Sequence, residues 1–550
     1  MNDTSTLLPS APQSGITKLK SRFDALNSRR GGKMNVAWEC AELTIPALLP
    51  RNQNRFVSMQ NLPATYDSIG ARAVNNLASK ILLALFPPGT VWFRLAAHEV
   101  IVMQLANIDR QTSSGSGDAG LKAKVEERLS MMEQMTLSHF ERQALRAKLF
   151  ELLKLLITTG DVLVCKLPGK PMKVINLNNF VVIRDGDGNL SELVIREYLG
   201  YTTLTEELKK LVAPVVEHAL SPENPSNENL ELYTTVRRTE GETFETWQEL
   251  SGVEVPGSRG KYRGDKLPYL AIRWSEVIGE DYGRSMVEDY LGDLRALEND
   301  ACTLDSLVRA CGKIVPMVNP NSVTKVSDLN RAKDGQFVYG RRDDVSFLTV
   351  DKLNDISVLQ SHCQELRQDI KAAFLMQSVV QRDGERVTAE EIRTVAAELE
   401  ENLGGVYSVL SQDLQLPLVK LLYEEVKSEF KKYGIQDVEL GRDLKVEITT
   451  GLEALGRGND ATKLRQFITD LAATNNPQVL AYLNLPDFIK RIGAARGIDM
   501  NGLVKTVEEV AQEQQEAQNQ QMMQQVVGSA SGALPDIIKG AVGQTGESQQ

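Results

Sequence analysis

The feature that most limits how this chain can fold is a pair of long, narrowly striped segments separated by a short β-rich stretch. Val287, Leu291, Leu294, Leu297, Ala301, Leu304, Val308 and Cys311 recur at steps of three and four. On a helix this spacing makes one apolar stripe, running about 27 residues or ~40 Å. Pro316 and Pro320 close the segment, and IVPMV, GQFVYG and VSFLTV then read as a small β module joined by polar turns. Ile356, Leu359, Cys363, Leu366, Ile370 and Ala373 mark a second helix over 355–376. A stripe only one or two residues wide needs neighbours along its whole length. Those neighbours are either the two helices themselves or copies of them in other subunits.

Around this stalk the period of the sequence changes repeatedly. Residues 1–35 are rich in Ser, Gly and Pro, with Lys18, Lys20, Arg22, Arg29, Arg30 and Lys33 among them, and are expected to be a flexible basic arm. Helical spacing over 64–86 stops at Pro87-Pro88-Gly89, and two further amphipathic helices are expected near 119–140 and 141–158. Gly160-Asp161 turns the chain into strands: NFVVIRD and SELVIREY flank a DGDGN turn of type I′ character, and ELYTTVRRT, ETFETWQEL and LPYLAIRWS follow. A mostly antiparallel sheet set among helices defines an α+β architecture. After the second striped helix comes the polar loop 377–387, then a capping box, Thr388 to Glu391, that opens a helix to about 431 with bends at Gly404-Gly405 and Pro417. Strand and loop return in VEITTGLEALGRG, residues 460–525 are again helical, and the last 25 residues are expected to be mobile.

Composition bounds the function. The 550 residues are enough for several cores, and 62 Lys+Arg against 73 Asp+Glu leave a net charge of −11. That balance disfavours a protein that grips nucleic acid over its whole surface, because neutralising phosphates needs a positive footprint. The five cysteines lack CxxC spacing and fit a reducing compartment better than a disulfide framework or a zinc site. The start lacks a signal-peptide pattern, and the apolar runs ILLALF and LFELLKLLI fall far short of the ~20 residues that span a bilayer. The chain is therefore expected to be soluble and intracellular, with no membrane partner.

Catalytic chemistry finds little support. The Gly-Lys pairs are followed by Met34, Pro171, Tyr262 and Ile314, so no phosphate-binding GxxxxGK[ST] loop forms. HExxH and GxSxG are missing. Asp185-Gly-Asp187-Gly-Asn189 begins like a calcium loop, but Leu190 stands where its glycine belongs and Arg196 where its final glutamate belongs. Glu288, Asp289 and Asp293 could hold Mg²⁺ in a nuclease, yet they lie on one helix without a partner cluster. No cofactor and no metal are expected.

Several blocks nevertheless point elsewhere. GARAVNNLASKILLALFP (70–87), YGRSMVEDYLGDLRALEND (282–300), QRDGERVTAEEIR (381–393), LGGVYSVLSQDLQLPLV (403–419) and TGLEALGRG (450–458) closely resemble the portal, or head-to-tail connector, proteins of short-tailed, autographivirus-like bacteriophages. The resemblance implies a dodecameric ring at one capsid vertex, assembled in the host cytoplasm and carried in the virion, with double-stranded DNA passing through its centre. It implies a wing at 36–284 and 389–459, stem helices at 285–313 and 355–376, and a clip at 314–354. It also implies a channel loop at 377–388 and a helical crown at 460–525, with the Gly/Ser/Gln-rich tail at 526–550 lying beyond the blocks that match. Terminase large subunit, capsid or scaffold protein, tail adaptor and internal core proteins are the implied partners. A capsid or scaffold protein without a channel, or a DNA-acting nuclease, are the alternatives.

Physical reasoning adds detail to that expectation. Over 285–309 the first stem helix carries six acids (Glu288, Asp289, Asp293, Glu298, Asp300, Asp305) against Arg295 and Arg309. Repeated round a ring they make a negative wall on which phosphates find no docking site, so DNA can slide. Glu288, Asp293, Glu298 and Asp305 are thus expected on the channel, with Gln381, Arg382 and Arg386 of the loop as a local exception. The two arginines either contact phosphates or pair locally with Asp383 and Glu385. Leu291, Leu294, Leu304, Leu359, Leu366 and Ile370 are expected at the contact between subunits, which in a head-to-tail ring is heterologous.

Overall fold

The computed structural model describes residues 18–51, 62–88, 91–97, 118–216, 229–239, 241–313, 315–348, 353–376, 399, 401–403, 405–430, 444–448 and 469. The chain divides into two compact units, 1–452 and 453–550, and the architecture below belongs to the first.

Its helices are α1 (Lys18–Arg29), α2 (Gly31–Glu42), α3 (Ile69–Leu85), α4 (Asp118–Arg142), α5 (Leu145–Thr159), α6 (Glu206–Val216), α7 (Met286–Asp289), α8 (Leu291–Cys311), α9 (Val326–Arg331), α10 (Leu353–Ala373), α11 (Gly405–Leu410) and α12 (Leu416–Phe430). The region expected as a flexible arm is helical from Lys18 onward. Leu19, Phe23 and Leu26 fall on one face of α1 and are buried against Val181, Val194 and Tyr233. Two of the arm's basic residues are spent on this contact: Arg22 bonds Glu192 at 2.6 Å and Lys20 pairs with Glu231 at 2.7 Å. Residues 1–17 lie outside the described residues.

The sheets are antiparallel throughout. Strands β1 (Phe93–Ala97) and β13 (Leu444–Ile448) form a two-stranded ribbon. Strand β2 (Asp161–Cys165) runs between β3 (Lys173–Ile175) and β10 (Tyr269–Arg273), and all five of its residues are buried. The largest sheet joins β4 (Phe180–Arg184), β5 (Leu190–Gly200), β6 (Asn229–Arg238), β7 (Thr243–Leu250) and β8 (Val253–Glu254), with β9 (Gly260–Arg263) also pairing with β7. The β4–β5 turn differs from its expected type. Gly188 donates to the Asp185 carbonyl at 3.0 Å and alone in this turn has a left-handed φ, +81°. That is a type I turn closed by a glycine, and the Asp185 carboxylate fixes it by accepting the Asp187 and Asn189 amides.

The main core gathers α3, α5 and α12 with the proximal parts of α8 and α10. Leu77, Leu149, Leu152, Leu294, Ile370 and Val426 are all buried in it. Gly70 lets α3 approach closely: a Cβ there would lie 2.6 Å from the Leu43 carbonyl oxygen and 3.4 Å from Leu294 Cδ2. The first striped segment is not one continuous helix. Ser285 and Glu288 form a capping box on α7, and the chain breaks at Tyr290 before α8 begins. Between α8 and α10, β11 (Val315–Val318) pairs with β12 (Val345–Leu348), but GQFVYG is not a strand. Its apolar alternation finds no pairing strand, and Phe337 and Tyr339 are fully exposed. The expected bend at Pro417 appears as a π turn over Ser411–Gln415, which accommodates the amide hydrogen that proline lacks.

Candidate channel face and its anchoring junction

The stem begins where two glycine turns interlock. Gly160 ends α5 with φ +80°, and a Cβ there would lie 2.8–2.9 Å from backbone atoms of Gly283, Arg284 and Ser285. Asp161 follows inside the junction and accepts the Gly283 amide at 2.9 Å. Lys33 of α2 donates to the Gly283 carbonyl and lies 3.3 Å from Glu288 and 3.8 Å from Asp161. Burial outweighs Lys33 and the Gly283 amide, and raises the Asp161 carboxyl to about 6. For Glu288 the balance falls the other way. Burial opposes its charge, but bonds from Arg284 at 2.6 Å and from Lys33 hold it below the usual carboxylate range.

The acids of the first stem helix are thus unequal. Glu288 is absorbed into the junction. Glu298 accepts the backbone amides of Tyr66 and Asp67 at 2.8 and 3.2 Å and anchors the chain just before α3. Asp300 pairs with His362 across the two stem helices at 2.7 Å, and Asp305 pairs with Arg309 at 2.9 Å. Asp289 and Asp293 make no ion pair with a described residue, and burial beside Glu288 raises the Asp289 carboxyl. Arg367 pairs with Asp67 at 2.7 Å and Arg295 with Glu39 at 2.7 Å, tying each stem helix to the body. Sequence reasoning missed Asp67 and Glu39 as partners because they lie 300 and 256 positions from Arg367 and Arg295.

The leucines expected between subunits divide in the same manner. Leu294 and Ile370, with 4% and 0% exposure, are covered inside the subunit and cannot meet a neighbour. Helix α3 covers this part of the stem, and Leu291 and Leu366 pack partly buried against the same core. Leu304 and Leu359 remain half-exposed further along, next to the exposed Val308 and Val358. Gln381, Arg382 and Arg386 lie outside the described residues, as does the expected crown apart from Thr469.

Among the described residues no three His, Cys, Asp or Glu side chains approach closely enough to hold a metal, and no helix is long and apolar enough to cross a membrane. A cleft of about 280 Å³ lies between the 185–188 turn and residues 276–280. Three of its four carboxylates are committed: Asp185 to the turn and Arg238, Glu276 to Arg273, Glu280 to Arg284. The described part of the first unit is a two-helix stalk rooted in an α+β body and capped by a small module.

The chain belongs to the bacteriophage head to tail connecting protein family, whose model matches residues 16–504. It is 38% identical to the portal protein of Escherichia phage T7, over 94% of this chain and 92% of that protein. It is 30% identical to the portal protein of Pseudomonas phage phiKMV, over 93% and 96%. Among solved structures it resembles a chain in the neck of an empty GTA particle, with 12% identity and a TM-score of 0.34, covering 77% of this chain and 89% of that one.

Proposed function

We propose that this protein is a portal. Copies form a ring, a dodecamer, at a unique capsid vertex, conduct double-stranded DNA during packaging and ejection, and present a docking platform for terminase and tail. The ring assembles in the host cytoplasm with scaffold or capsid protein and remains in the virion. It works as a conduit and carries no catalytic group or cofactor of its own.

One observation carries the geometric side of this reading. The subunit covers its stem helices only along their proximal halves, leaving Leu304, Val308, Val358 and Leu359 with apolar surface that a neighbouring stem can cover. Near-full-length similarity to proteins named portal supports the same assignment. Twelve copies of the 60.9 kDa chain make an annular particle of about 730 kDa. A stable monomer or an open filament in native mass measurement refutes the ring. Within the ring, residues 377–388 form the channel loop, and Arg382 and Arg386 contact phosphates there. Replacing both by Ala leaves rings intact but lowers retention of packaged DNA; unchanged retention refutes that role.

A further inference from the structure

The second stem helix ends in an unusual manner. The Leu375 amide donates to the Ala372 carbonyl at 3.1 Å and the Met376 amide to the Lys371 carbonyl at 2.8 Å. These are the paired bonds of a Schellman ending, which places one residue in the left-handed region and generally uses glycine for it. Here that residue is Leu375, with φ +55°, and its side chain is buried. A β-carbon in this conformation is strained, so the surroundings must hold it there.

The holding groups come from α3. Lys80 Nζ donates to the Leu375 carbonyl at 2.6 Å, and Asn76 Nδ2 lies 3.2 Å from the Phe374 carbonyl and 3.3 Å from that of Leu375. The Phe374 ring packs on Tyr290, at the break in the first stem segment, with ring centres 5.7 Å apart. The far end of the same helix is gripped from the other side of the chain. Tyr407 Oη donates to the Ala84 carbonyl at 3.2 Å and Gln415 Nε2 to the Leu85 carbonyl at 2.5 Å. One helix therefore fixes the backbone both before and after residues 377–398.

We propose that Asn76 and Lys80 are positioning residues: they lock the strained ending at Leu375 and thereby set the point and direction from which the channel loop departs. The inference rests on reading 377–388 as that loop. Lys80 suits the task because its long side chain carries the ammonium to the Leu375 carbonyl at the end of α10. Its charge also complements the negative end of the α10 dipole.

The test uses rings of the full chain carrying Lys80→Met, which keeps the stem of the side chain and removes the donor. Hydrogen exchange at the amides of 374–376 is expected to quicken about tenfold, while amides of 359–369 stay as in the wild type. Particles built on these rings are expected to lose packaged DNA several-fold faster. Lys80→Arg, which keeps donors at the same place, restores both. Unchanged exchange at 374–376 overturns the clamp whatever the loop does. Faster exchange with unchanged DNA retention overturns its positioning role. The Arg382→Ala/Arg386→Ala ring in the same retention assay judges the loop reading separately, so the two failures are distinguishable.

Discussion

Replacing Asp161 with Asn isolates the electrostatic cost of the junction from which the stem departs. The Asp161 carboxyl is fully buried, and its ordinary value of 3.8 rises to about 6 in the folded chain even with Lys33, Arg184 and Arg273 favouring its charge. A rise of about two units corresponds to ~3 kcal/mol between the two protonation states. Because the folded pKa is the higher one, the native state binds this proton more tightly than the unfolded chain. The resulting stabilisation is complete below about pH 3.8, declines as pH rises through about 6, and is gone at neutral pH. Asn keeps an oxygen for the Gly283 amide and removes the charge, while Lys33 retains Glu288 and the Gly283 carbonyl. At pH 8 the variant should gain up to about 3 kcal/mol. With an unfolding entropy of about 2.1 cal/mol/K per residue over the chain, that is a rise in Tm of roughly 2–3 °C. At pH 4 the two proteins should melt within about 1 °C of each other. Scanning calorimetry of assembled rings at both pH values is the assay. A variant that melts several degrees lower at pH 8, with a gap that persists at pH 4, would show that attraction to Lys33 governs the site and refute the reasoning.

Two further outcomes follow from the same geometry. Gly160→Ala must place a β-carbon against the backbone of 283–285 at φ +80°, and should cost more than about 2 kcal/mol, read as a lower Tm with the ring stoichiometry unchanged. Leu304→Ser combined with Leu359→Ser should leave the subunit's own melting little changed but weaken each stem contact by about 1 kcal/mol per side chain. Sedimentation should then show a larger fraction of incomplete rings at low protein concentration, and unchanged ring stability would place these leucines away from the contact.

The stem was legible because its signal is local: steps of three and four residues define α8 and α10 from the sequence alone. What escaped reading depended on partners remote in sequence. Leu19, Phe23 and Leu26 stand among lysines and arginines that suggested a solvated arm, yet Arg22 and Lys20 meet Glu192 and Glu231 on the sheet that α1 covers, and the Leu19 amide donates to Glu249 there. Phe337 and Tyr339 alternate as a strand would, but alternation cannot supply the second strand that makes one. Leu294 and Ile370 carry the same stripe as Leu304 and Leu359, and only the placement of α3 separates inner positions from outer ones.

The acidity of the stem is refined by the same argument. Six carboxylates on the first stem helix suggested a uniformly negative wall, but charge acts on a passing phosphate only where it is not already neutralised. Cations offset Glu288, through Arg284 and Lys33, and Asp305, through Arg309; Asp300 bonds the His362 ring, and Glu298 is turned onto the amides before α3, which fix its position without cancelling its charge. Asp289, which ends α7, and Asp293, in the first turn of α8, make no such contact with a described residue. On the proposed portal reading each subunit would then offer the DNA these two carboxylates, on either side of the break at Tyr290, together with Glu298. In the proposed ring these would make a negative collar near the junction where Asp161 and Lys33 fix the start of the stem. A duplex meeting such a collar is repelled over a distance near the Debye length of about 10 Å and slides freely beyond it. Centring therefore depends on how rigidly the stem is rooted as much as on how much charge it carries.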